Sequence, residues 1–255
     1  MGIEYDGSEF AGWQIQAGER TVQGCLESAV AAVADHPVKT SCAGRTDAGV
    51  HALGQVIHFD TESPRSDRSW RLGTNSNLPP DVSVQWVQPV ADDFHARFSA
   101  VRRRYRYIIG NYAARSALQR RRVCWNHRPL DCARMAAAAR HLIGEHDFSS
   151  YRALGCQAKS PVRTVYRLDV ERRGDDVILD VEANAFLHHM VRNIAGVLMA
   201  VGTGVQPVEW TREVLGCRDR TLGGVTAPPQ GLYLMAVTYP EHFRLPAPQD
   251  SSPPP

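Results

Sequence analysis

The sequence predicts an α+β fold: two split-βαβ (ferredoxin-like) domains, with antiparallel sheets side by side and a cleft between them. Three observations carry that expectation. Short apolar runs alternate with period two, and longer runs recur with the 3.6-residue period of a helix. The order of these runs, β-α-β-β-α-β, occurs in each half of the chain, although the halves share no evident repeat of residues. Finally, 255 residues with 43% hydrophobic and 22% charged side chains suffice for one large core or two smaller ones. The expected divisions are an N-terminal domain over 1–98, a C-terminal domain over 99–242 and a flexible tail over 243–255. That tail ends Pro-Ala-Pro-Gln-Asp-Ser-Ser-Pro-Pro-Pro and has nothing to bury.

In the first half, residues 3–5 read as a short strand. Thr21 then caps a helix whose Val22, Leu26, Val30 and Val33 share one stripe. Residues 38–43 and 55–60 read as strands around a glycine-rich loop. A shorter helical piece near Arg68 and Leu72 precedes a strand over 82–90. In the second half, 103–109 alternates as a strand, with Tyr105, Tyr107 and Ile109 on one face and Arg104, Arg106 and Ile108 on the other. Asp131 caps a helix carrying Met135, Ala139, Leu142 and Ile143, and Gly144 is placed to end it. Strands over 162–170 and 177–183 flank Arg173-Gly174-Asp175-Asp176, a hairpin signal. A helix follows with Phe186, Met190, Ile194, Val197 and Val201 inward, and 232–239 closes the set as a strand.

Composition narrows the functional classes. The first residues lack the basic and apolar runs of a secretory leader. The longest apolar stretch, 190–205, is interrupted by Arg192 and Asn193 and is too short to span a bilayer. A soluble cytoplasmic protein with no membrane partner is expected. The cysteines Cys25, Cys42, Cys124, Cys132, Cys156 and Cys217 form no C-x-x-C pair and read as reduced thiols. His188 and His189 are adjacent, so they do not put two rings on one helix face, and nothing in the spacing supports a metal site. Net charge is only +2, but residues 97–140 hold twelve arginines and a single acid, Asp131. Such an asymmetry suits a polyanion-binding surface. With Lys39 and Lys159 the only lysines, arginine is also simply the usual cation of this chain, which explains the choice of arginine but not the missing acids.

The chemistry-bearing run is Ser41-Cys42-Ala43-Gly44-Arg45-Thr46-Asp47-Ala48-Gly49-Val50-His51-Ala52. Small residues and two glycines allow a tight turn and the close approach of another molecule. Arg45 and Asp47 stand two residues apart within it. One reading makes Asp47 a nucleophile or base at a loop tip, held ionised by the guanidinium. The other makes it the head of an Asx turn beside a solvated arginine.

This run, together with Glu4-Tyr5-Asp6-Gly7 and Gly12-Trp13-Gln14, closely resembles the tRNA pseudouridine synthase A family. The resemblance extends through Asp93-Phe94-His95-Ala96-Arg97-Phe98-Ser99-Ala100, Arg103-Arg104-Tyr105-Arg106-Tyr107 and His146-Asp147-Phe148. It continues in Asn184-Ala185-Phe186-Leu187-His188-His189-Met190-Val191-Arg192-Asn193 and ends at Gly231-Leu232-Tyr233-Leu234, so that it spans nearly the whole chain. The resemblance implies an isomerase that converts uridine to pseudouridine at positions 38 to 40 of the tRNA anticodon stem-loop. It further implies a homodimer gripping one tRNA, with no metal and no organic cofactor. By position, Asp47 matches the family's catalytic aspartate and Tyr105 the tyrosine that stacks on the target base. Arg45 matches the arginine of base flipping, Arg192 the basic residue paired with the aspartate, and Leu234 a substrate-contacting leucine. Phe94, His95, Ala96, Arg97 and Phe98, with Gly155, Cys156, Gln157, Ala158 and Lys159, match segments that contact tRNA.

Those roles suit the chemistry. The target base must leave its stack, at a cost of a few kcal/mol, and needs an aromatic face to rest on. A carboxylate can then attack C1′, attack uracil C6, or remove a C2′ proton, and the sequence does not choose among these routes. Taken alone, Arg192 also reads as a surface arginine on an amphipathic helix, and Tyr107 shares a face with Tyr105. Two other functions compete: a non-catalytic RNA-binding protein on the same scaffold, and a hydrolase of glycosidic bonds, which would release free uracil. Relatives in the family carry several more residues before Glu4, so the first strand is expected to be clipped.

Overall fold

In the computed structural model, which describes residues 1–247, the chain forms two units. One holds Met1–Val101 and the described chain from Tyr233 onward; the other holds Arg102–Leu232. The last stretch of the tail expected to be flexible, 248–255, lies outside the described residues.

The first unit runs β1 (Gly2–Tyr5), α1 (Val22–Ala34), β2 (Ser41–Cys42), β3 (His51–His58), α2 (Asp67–Asn77) and β4 (Val82–Trp86). Thr21 begins α1 as expected, its hydroxyl accepting from the Gly24 N–H at 3.3 Å, and Val22, Leu26 and Val30 are buried. Helix α1 packs on α2, where Gly73 leaves room for Val33. Strand β1 pairs antiparallel with β4 on one side and β3 on the other, setting Tyr5 opposite Val82 and Ala52. Two elements share the far edge of β3. Strand β2 pairs antiparallel near its end, with Ser41 opposite His58 and Cys42 opposite Ile57, while Tyr233 and Leu234 pair in parallel with His51 and Ala52.

The second unit contains β5 (Arg102–Gly110), β6 (Cys124–Trp125), α3 (Cys132–Ala139), β7 (Gly144–Asp147), β8 (Val162–Arg173), β9 (Asp176–Ala183), α4 (Met190–Gly202) and α5 (Trp210–Cys217). Its sheet is ordered β5-β9-β8-β7, with every neighbour antiparallel, and β6 adds to β5 in parallel. The hairpin read at Arg173–Asp176 joins β8 to β9, with Gly174 at φ 59°. Asp131 caps α3 through the Arg134 N–H at 3.0 Å. Met135, Leu142, Met190, Ile194 and Leu198 fill the core beneath Tyr107 and Leu179.

Several local expectations change. The strand expected over 38–43 shrinks to β2 because Glu27 captures the Thr40 N–H and hydroxyl at 2.7 and 3.0 Å, drawing that backbone to α1. Strand β3 starts four residues earlier than the sequence suggests, because pairing with 233–234 extends it back to His51. Ile143 is 41% exposed: α3 tightens to a 3-10 turn at Arg140–Leu142, which rotates the apolar stripe away from it. Phe186 precedes α4 instead of lying on it, since Asn184 takes the Ala185 N–H and His189, at φ 62°, begins the helix. The closing strand, β10 (Leu232–Thr238), is expected in the second half, yet its Tyr233 and Leu234 pair with β3. At the start of the expected tail, Phe243 packs on Phe94, and Gln88 donates to the carbonyls of Phe243 and Arg244.

The basic stretch is also partly consumed by structure. Arg106 donates to both carboxylate oxygens of Asp180 at 3.0 and 2.7 Å, with both side chains under 10% exposed. Arg103 donates to the Asn184 carbonyl, and Arg134 to the carbonyls of Val201 and Gln206. The acidic partner, Asp180, and these carbonyls lie far along the chain, so a window over 97–140 does not contain them.

Candidate active site

The loop from Gly44 to Val50 follows β2 and Ala43 and leads into β3. Ala43 and Thr46 are buried, Arg45 is exposed, and Gly44 and Asp47 are half-buried. The loop is held at several points. The Gly44 carbonyl accepts from Gln55 Nε2 at 2.6 Å, and the Thr46 hydroxyl bonds the Tyr5 hydroxyl at 2.8 Å. The Thr46 carbonyl accepts from the Trp13 N–H at 3.0 Å. Beyond Asp47 the chain turns through Gly49, at φ 77°, and the Val50 N–H returns to the Asp47 carbonyl at 3.2 Å.

Gly12-Trp13 is the second wall of this loop. Gly12 has φ 101°, and a Cβ there would stand 2.9 Å from the Thr46 carbonyl oxygen and 3.2 Å from the Asp47 carbonyl carbon. Only glycine allows this approach. Gly7 makes a similar close approach at the far end of the loop, where a Cβ would meet the Val50 carbonyl oxygen. The Gly7 N–H donates to His51 Nδ1 at 3.1 Å, and the His51 ring stacks on Tyr233 at 4.6 Å. Leu234, beside it on β10, is fully buried.

Arg45 does not stand alone. Burial pushes the Cys42 thiol up to about 11, while the guanidiniums of Arg45 and Arg97 both pull against that rise. Both cations therefore lie near Cys42. Arg97 belongs to the docked turn 94–99. In that turn Ser99 Oγ accepts from the His95 N–H, and His95 Nδ1 accepts from the N–H groups of Arg97 and Phe98. The turn is anchored where Ala96 donates to His58 Nδ1 at 3.1 Å and accepts from the Tyr239 hydroxyl at 2.6 Å. Phe94 and Ala96 thus point inward and are buried. His95, Arg97 and Phe98 form the outer face: Phe98 is 75% exposed, its ring 4.3 Å from His95 and under the Arg97 guanidinium at 5.5 Å. An exposed aromatic with a cation over it can stack on a base.

In the second unit, Tyr105 lies on β5 opposite Val181, 8% exposed, with Phe186 edge-on at 5.0 Å. Tyr107, its rival on the same face, is fully buried; its hydroxyl donates to the Pro228 carbonyl at 2.7 Å, and burial raises its pKa well above the phenol range. That commitment leaves Tyr107 no free edge for a ligand. Arg192 sits in the first turn of α4 and is half-buried. Its Nε donates to the Ala227 carbonyl at 2.8 Å, and the Ala227 N–H returns to the Arg192 carbonyl at 3.1 Å. Gly155, Gln157 and Lys159 are exposed on the segment before β8, with Cys156 and Ala158 half-buried among them. Sequence reasoning did not single out Tyr5, Gly12, Trp13 or Gln55 as supports of the loop.

Among the described residues no helix is long and apolar enough to cross a membrane. The family model described as tRNA pseudouridine synthase matches residues 1–99 and 138–240. A tRNA pseudouridine synthase A from Alcanivorax borkumensis is 60% identical over 247 residues, which is 96% of this chain and 92% of the relative. Its counterpart from Nitrosococcus oceani is 60% identical over 246 residues, covering 96% and 95% of the two chains. The protein of that name from Coxiella burnetii is 55% identical over 246 residues, covering 96% and 94%.

Proposed function

The chain belongs to the tRNA pseudouridine synthase family, and is thus an isomerase that makes pseudouridine in tRNA; from that premise we propose that it acts on positions 38 to 40 of the anticodon stem-loop, with Asp47 as its nucleophile. The observation that supports the assignment of Asp47 is the way its motif loop is held. The Gly44 carbonyl and the Thr46 hydroxyl are bonded to Gln55 and Tyr5, leaving Arg45 exposed and Asp47 half-buried on a fixed loop.

The remaining roles are those the family resemblance implies, and they suit the chemistry. Isomerisation breaks the N1–C1′ bond, turns the uracil, and joins C5 to C1′; C5 gives up its proton and the freed N1 takes one up. Arg45 takes the place of the extruded base, and Tyr105 gives the uracil an aromatic surface whose other neighbour is Phe186. Arg192 is the cation that the family pattern pairs with the carboxylate, and Leu234 gives the substrate an apolar neighbour. Asp47 attacks C1′ or C6, or removes the C2′ proton. His95, Arg97 and Phe98, together with Gly155–Lys159, grip the tRNA backbone and loops. The protein works in the cytoplasm as a homodimer and draws on no metal or organic cofactor.

Mapping pseudouridine in unmodified tRNA after incubation with the purified protein tests the position. The proposal predicts modification confined to 38–40, lost when those uridines are replaced by cytidine. Pseudouridine only elsewhere in the tRNA would contradict it.

A further inference from the structure

Resting on the assignment of Asp47 as the nucleophile, we infer that Tyr5 and Gln55 are positioning residues for the reaction, aiming the carboxylate by holding the loop ahead of it at the Gly44 carbonyl and the Thr46 hydroxyl. Tyr5 lies on β1 and Gln55 on β3, respectively 41 and 11 residues from their partners in the loop. Tyr5 is 3% exposed and Gln55 fully buried. Gln55 Nε2 reaches the Gly44 carbonyl at 2.6 Å and the Tyr5 hydroxyl at 3.5 Å, and that hydroxyl bonds Thr46 Oγ1 at 2.8 Å. One connected set of polar groups therefore grips the loop on either side of Arg45. Anchoring the loop on both sides of Arg45 limits how far the chain, and Asp47 with it, can shift.

The Gln55 Oε1 is buried with no hydrogen-bond partner. An unsatisfied buried acceptor lowers stability, so an amide is a costly choice here for packing alone. Methionine at this position removes that acceptor and, with it, the donor to the Gly44 carbonyl.

Misplacing a reacting group by about 1 Å can lower a rate about 100-fold while leaving binding intact. The test is single-turnover pseudouridine formation at saturating enzyme, with tRNA affinity and thermal midpoint measured for each variant. Gln55→Met and Tyr5→Phe are expected to slow the step about 10- to 100-fold. Their tRNA Kd should stay within about twofold of wild type, and Gln55→Met should melt close to wild type, since it removes one orphaned acceptor and leaves another at the Gly44 carbonyl. Thr46→Val should match Tyr5→Phe, the double variant should be no slower than either single one, and Thr46→Ser should recover the rate. Wild-type rates in Gln55→Met and Tyr5→Phe, with Asp47→Ala inactive, would overturn the inference alone. Rate losses that track lost stability or lost tRNA affinity would also overturn it. A fully active Asp47→Ala protein would overturn the reading of the nucleophile and this inference with it.

Discussion

Replacing Asp180 by alanine leaves the Arg106 guanidinium buried on β5 without its carboxylate, one residue from Tyr105 in sequence. The two side chains are opposite each other across β5 and β9, joined by bonds of 3.0 and 2.7 Å, and are 9% and 8% exposed. With an effective dielectric of ~20, unit charges about 4 Å apart attract by about 4 kcal/mol. Breaking a buried pair by removing one partner costs about 3–5 kcal/mol, mostly because the remaining charge is stranded. A chain of this size loses about 2–4 °C of melting temperature per kcal/mol, so Asp180→Ala should lower the midpoint by about 6–20 °C. Thermal unfolding followed by circular dichroism measures this directly. The double variant Arg106→Met/Asp180→Leu removes both charges and should recover most of the loss, since buried pairs often give way to apolar residues without penalty. A shift below about 2 °C for Asp180→Ala, or a double variant as unstable as the single one, would refute the reasoning.

Two further predictions concern the loop and its neighbour. Gly12→Ala introduces a Cβ 2.9 Å from the Thr46 carbonyl oxygen at a backbone φ of 101°; it should cost about 1–3 kcal/mol of stability and, by shifting Asp47, about 100-fold in single-turnover rate. Normal rates in this variant would show that the loop tolerates displacement. The Cys42 thiol, raised by burial from 9.0 to about 11, predicts a loss of stability at alkaline pH. Below pH 9 both folded and unfolded thiols are protonated and the contribution is complete; between 9 and 11 only the unfolded chain ionises, and about 2–3 kcal/mol is lost. Tyr107 and Tyr151, both raised by burial, extend the loss to higher pH. Denaturation midpoints from pH 8 to 11 should therefore fall less steeply in Cys42→Ala; identical slopes would remove Cys42 from the account.

Local signals were legible and distant partners were not. The Thr21 cap, the Asp131 cap and the Gly174 turn are determined within a few residues, so α1, α3 and the β8–β9 hairpin appear where the sequence puts them. The shortened β2 depends on Glu27, thirteen residues before Thr40, and β3 starts early because of pairing with residues some 180 positions away. Helix α5 was not anticipated from the sequence pattern. The same divide runs through the site. Arg45 and Asp47 stand out by spacing, and the family motifs mark Tyr105 and Arg192. Tyr5 and Gln55 look like ordinary strand residues until the fold carries them to Thr46 and Gly44. Nor does composition separate Arg106, spent on Asp180, from Arg97, which lies beside the exposed Phe98.

The central claim is that Asp47 does chemistry and does not merely hold the loop. The measurement that bears on it most directly is single-turnover pseudouridine formation by Asp47→Ala, with tRNA affinity determined on the same preparation. No detectable product and a tRNA Kd within about threefold of wild type are expected, because the substitution leaves every arginine of the chain in place for phosphate contacts. Product at a substantial fraction of the wild-type rate would contradict it, as would loss of tRNA binding in proportion to loss of turnover.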